Sequence, residues 1–161
     1  MWVLAVVSVA GVGAAGCGGA DDGDVSREGH VLTAAVRDVL TEQPPPTDPD
    51  ELPVVFVVGV GEEDIAADVQ AEVTRELDDD ALVRFADERD EAVDEDEPHV
   101  PVRDAGVLVV VGEVAVDGDP VELSVEVYRS DQDWSKRVLT IASGPAEWTV
   151  TSSSVLPADG A

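Results

Sequence analysis

The chain is 161 residues long, enough for one domain, and 44% of it is apolar, drawn mainly from Val, Ala and Leu with few aromatic residues. Thirty-six Asp and Glu stand against nine Lys and Arg, a formal charge of −27. That balance argues against a nucleic-acid partner, whose phosphates need a basic stripe, and against electrostatic adsorption to an anionic membrane surface.

At the amino terminus, residues 2–12 (WVLAVVSVAGV) form an uncharged apolar run. This is shorter than the roughly 20 residues that span a bilayer and fits the hydrophobic region of a signal peptide. Small residues follow it up to Cys17, the single cysteine, which has no partner for an intramolecular disulfide. The stretch Ala14-Ala15-Gly16-Cys17 resembles the lipobox of bacterial lipoproteins, with Ala14 where that family more often has Leu. The resemblance implies a diacylglycerol on the Cys17 thiol, cleavage just before it, and an exported chain lipid-anchored at the outer face of the cell membrane. Residues 18–24 (GGADDGD) have the composition of a flexible tether. The expected organisation is a signal peptide at 1–16, a lipid-anchored flexible tether at 17–26, a single α+β domain at 27–156 and a disordered tail at 157–161.

Within the domain, Val31, Leu32, Ala35, Val36, Val39 and Leu40 recur at helical spacing and predict a first helix over 30–42. Ser26 is its expected N-cap, and Pro44-Pro45-Pro46 stops it. Residues 54–58 (VVFVV) read as a strand covered on both faces and central in its sheet. Ile65, Val69, Val73 and Leu77 place a second helix over 63–77, and 82–86 is a short strand, so strand, helix and strand suit a parallel crossover. Residues 87–97 (DERDEAVDEDE) hold eight acids and one Arg, and Pro98 closes the run; an acidic, solvated loop over 87–98 is expected.

Beyond the loop, 107–111 is a second buried strand, and Asp117-Gly118 marks a turn. Val121, Leu123, Val125 and Val127 alternate with polar residues, and two further strands at 138–142 and 148–152 flank a Gly-Pro turn. The expected fold class is α+β: two helices packed on a mainly antiparallel sheet with a carboxyl-terminal β-meander.

Few constellations suggest chemistry. Gly59-Val60-Gly61 follows a strand and precedes a helix, but Glu62, Glu63 and Asp64 stand where a phosphate would dock, so no nucleotide and no cofactor is expected. The acidic clusters invite a calcium reading, with Asp94, Asp96 and Glu97 as the candidate metal ligands, although none has the ligand spacing of an EF-hand loop. His30 and His99 each lack a second His or Cys at metal-ligand spacing; a zinc site would have to join both with carboxylates. No nucleophile elbow or Ser-x-x-Lys motif occurs, so no catalytic residue is assigned. Trp148 is expected in the core and Trp134 in an exposed polar turn, where it is the candidate interaction surface. The acidic, lysine-poor composition, with Lys136 alone, resembles the surfaces of salt-adapted proteins. Together these features predict a membrane-anchored, non-catalytic envelope lipoprotein with an envelope protein as partner. The alternative is a lipoprotein that binds a small ligand or a divalent cation.

Overall fold

The computed structural model describes residues 22–157, apart from 47, 49–50, 61–63 and 116, with side chains from Arg27 onward. The expected signal peptide, Cys17 and residues 158–161 lie outside the described residues. The chain runs α1 (Asp22–Thr41), β1 (Val54–Gly59), α2 (Ala67–Glu76), β2 (Leu82–Phe85), α3 (Arg89–Ala92), β3 (Val107–Val111), β4 (Val121–Ser130), β5 (Asp133–Ser143) and β6 (Trp148–Val155). A 3-10 turn at Arg103–Ala105 precedes β3.

The strands form one sheet in the order β2-β1-β3-β4-β5-β6. β1 pairs parallel with both β2 and β3, and α2 supplies the crossover between β1 and β2. From β3 onward every pairing is antiparallel, so β4, β5 and β6 form the meander. The fold is thus α+β, with an antiparallel majority.

Strand alternation sorts the side chains into two cores. Val55 and Val57 of β1, Val107 and Val109 of β3, and Leu123 and Val125 of β4 point to the face that α1 and α2 cover. Val31, Leu32, Val36 and Val39 of α1, Val69 and Val73 of α2, and Leu77 just beyond it are fully or almost fully buried against them. Each such side chain contributes about 1.5–3 kcal/mol on leaving water. Phe56 and Val58 of β1, Leu108 of β3 and Tyr128 of β4 point the other way and pack with Ala92, Val93 and Val102. This burial on two faces is why residues 54–58 carry no polar alternation.

The second core corrects the reading of 87–98 as a merely solvated loop. Its acids are mostly exposed, yet Ala92 and Val93 are buried, α3 forms inside it, and Val93 bridges to Val102. Four non-glycine residues in the continuation, His99, Val100, Asp104 and Ala105, adopt positive φ, a costly conformation above all for the β-branched Val100. The segment is tied down at several points. The Tyr128 hydroxyl donates to the Val100 carbonyl at 2.9 Å, Arg103 Nε donates to the Val93 carbonyl at 2.8 Å, and the Val102 N–H donates to the Arg129 carbonyl at 3.0 Å.

Other boundaries differ from expectation. α1 begins at Asp22, so Ser26 lies inside the helix, and the last residues of the expected 17–26 tether are helical. α2 begins at Ala67 rather than near 63, and Asp64 lies in the coil ahead of it. The glycine turn therefore does not run directly into a helix. β5 begins at Asp133, five residues before the apolar alternation starts, because pairing with β4 carries the polar residues into the sheet.

Candidate functional site

Trp134 is exposed, as expected, but it sits on β5 directly opposite Tyr128 rather than in a turn. It faces the side of the sheet left open beyond the 87–106 cover. Arg89, Glu126, Tyr128, Asp131, Trp134 and Lys136 line a shallow groove there of about 390 Å³. Arg89 stacks on the Tyr128 ring at 3.9 Å and reaches Glu126 at 3.0 Å; Lys136 approaches the second oxygen of Glu126 at 3.5 Å. Two cations therefore balance two carboxylates, a neutral spot on a chain of −27. The groove's Trp134 end continues into an apolar notch of about 260 Å³ with Val155 and Leu156, both exposed, where the Leu156 N–H donates to the Lys136 carbonyl at 2.8 Å. Trp148, by contrast, packs half-buried against the helix-side core with Arg27 over its ring at 5.1 Å.

The candidate metal ligands Asp94, Asp96 and Glu97 lie on the acidic segment, where an Asp94 carboxylate oxygen accepts the Asp96 N–H at 3.2 Å. Among the described residues their oxygens do not form a convergent set of three. The histidines are not brought together either. His99 faces Asp131 at 3.4 Å, whereas His30 joins two carboxylates that sequence reading did not select.

Those carboxylates are Glu72 and Glu76, one helical turn apart on α2, facing His30 on α1. His30 Nε2 stands 3.3 Å from Glu76 Oε1 and 3.7 Å from Glu72 Oε1. Val69 and Val73 fix the phase of α2 by burying its inner face, which leaves Glu72 and Glu76 on the flank beside α1. Both are largely shielded, with side chains 13% and 26% exposed. Gly29 makes the close approach possible: a Cβ there would meet Glu72 Oε2 at 2.5 Å. One turn up the same seam, burial and then the Asp68 carboxylate raise the Glu28 carboxyl above its ordinary range. Among the described residues, no Lys or Arg lies within ion-pair distance of Glu72 or Glu76.

At the carboxyl end of α1, Arg137 of β5 is buried and donates to Glu42 Oε1 at 2.9 Å and to Ser135 Oγ at 3.2 Å. The Arg137 hydrogen bond holds the Glu42 carboxyl below its ordinary range. Beside the pair, burial and then Glu42 push Asp38 up, partly offset by Arg137.

These features define a two-layer α+β domain with an amphipathic groove on its open sheet face and a His-carboxylate cluster between its helices. No helix among the described residues is long and apolar enough to cross a membrane. Comparison with protein-family models, curated proteins and solved structures finds no match.

Proposed function

We propose that this chain is a non-catalytic interaction module of the cell envelope, held at the outer face of the membrane by lipid on Cys17, whose open sheet face binds a protein partner. The observation that carries the reading is the groove around Trp134. It sets Trp, Tyr and Arg, the residue types that dominate binding energy at protein interfaces, in a locally neutral patch. Carboxylates elsewhere on the chain would repel an acidic partner and favour one with a basic rim. The lipobox-like Ala14-Ala15-Gly16-Cys17 supports the tether, since a charge of −27 leaves lipid as the attachment compatible with an anionic bilayer.

The test is a photoreactive amino acid placed at position 134 or, as a control, at Thr74 on the exposed side of α2, in the native host. Irradiation of intact cells is expected to give one discrete adduct from position 134 and none from position 74. Adducts absent from both sites, or equal from both, refute the interface.

A further inference from the structure

We propose that His30, Glu72 and Glu76 form a binding site for one divalent transition ion of the zinc type, bridging α1 and α2. The inference is independent of the tether and of the groove.

Three observations carry it. First, the donor set is mixed: one imidazole and two carboxylates supply nitrogen and oxygen ligands. Imidazole suits zinc and its neighbours, whereas calcium and magnesium take oxygen. The acidic surface offers hard cations many diffuse carboxylates, and the imidazole sets this cluster apart from them. Second, the geometry fits. Ligand atoms at about 2.0–2.1 Å from a tetrahedral ion stand about 3.3–3.4 Å from one another. The observed separations from His30 Nε2 are 3.3 and 3.7 Å, and all three ligand atoms lie within 4.8 Å of each other. Glu72 and Glu76 reach the position from adjacent turns of one helix, so small rotamer changes close the set. Third, Gly29 occupies the interior of a 20-residue helix, where glycine is unfavourable, and its missing Cβ is the space that the Glu72 carboxylate occupies.

Three protein ligands leave a fourth position to water, so the ion would be held between the helices with one exchangeable site. Both carboxylates are mostly withdrawn from solvent. A divalent ion would balance the charge of the two carboxylates.

The test uses the full-length, untagged chain in detergent with 1 M KCl, which screens diffuse binding to the acidic surface. Zn²⁺ is titrated calorimetrically, and Co²⁺ by its visible absorption. One tightly bound equivalent per chain is expected, with Co²⁺ bands of tetrahedral type, and excess Ca²⁺ should not displace it. His30→Gln should weaken Zn²⁺ binding by at least ~100-fold, because even loss of a group that only supports a ligand costs about 10–100-fold. Gly29→Ala provides a second variant that spares the fold, since Ala suits a helix better and only the mobile end of Glu72 must move. It should keep the circular dichroism of the parent and lose the Co²⁺ bands. A control triple variant, Asp94→Asn, Asp96→Asn and Glu97→Gln, should bind as the parent does. No Zn²⁺ bound in 1 M KCl, or equal binding by the parent, His30→Gln and Gly29→Ala, would mean that the cluster is an ion pair alone and would overturn the proposal.

Discussion

Replacing Glu42 with Gln isolates the charge in the Arg137 pair while keeping an oxygen that can accept its hydrogen bond. Arg137 is almost fully buried, with its side chain 8% exposed, whereas the Glu42 side chain is 48% exposed. Removing one partner of a fully buried pair costs about 3–5 kcal/mol, and an exposed pair is worth about 0–1 kcal/mol. A pair buried at one end, whose loss also relieves repulsion on Asp38, should fall between these limits, at about 1–2 kcal/mol near pH 7. The pH dependence follows from the depressed Glu42 carboxyl. Its stabilisation is complete above the carboxyl's value in the unfolded chain and is lost as pH falls through the lower folded value. Arg137 and Arg129 both favour the ionised form, whereas burial opposes it. Asp38 is raised mainly by burial, which both proteins share, and then by Glu42; the variant loses that second contribution, which narrows the gap at pH 7 and disappears once Asp38 is protonated. Urea unfolding of parent and variant in 1 M KCl should therefore give a clear gap at pH 7 that closes only as pH falls below the ordinary carboxylate range. A gap of the same size in acid, or none at pH 7, would refute the electrostatic account of this contact.

Tyr128→Phe should destabilise the domain by about 1 kcal/mol by leaving the Val100 carbonyl without its donor; amide exchange should accelerate across 94–106 before it does in the helix-side core. Leu32→Ala removes a fully buried side chain between α1 and the sheet, with an expected loss of 2–5 kcal/mol in denaturant unfolding and no change in the Trp134 groove. The charge of −27 predicts stability that rises from low salt to molar KCl, and a melting temperature independent of salt would contradict a self-repelling acidic surface.

Elements whose burial repeats along the chain were legible from residues alone. The unbroken run at 54–58 marked a strand covered on both faces, and Val121, Leu123, Val125 and Val127 marked the helix-side face of β4, whose other face is buried at Tyr128. What escaped was set by pairing across long sequence separations. Residues 130–136 are polar apart from Trp134 and read as a turn, yet β4 draws 133–136 into β5 and sets Trp134 against Tyr128. Only Ala92 and Val93 are apolar within 87–97, too few for any period; their burial comes from Phe56, Leu108 and Tyr128 beneath them. The His30 cluster left two separate traces: an isolated glycine in a helical pattern, which signals close approach, and glutamates four residues apart on a helix. Nothing local says that the two meet, because the packing of α1 on α2 is decided by the valines between them.

The central claim, a domain held at a membrane by its single cysteine, is tested most directly by intact mass spectrometry of the protein from membranes of the native host. The account predicts a mature chain beginning at Cys17 and carrying the added mass of acyl glycerol. An unmodified chain recovered from the medium would contradict it.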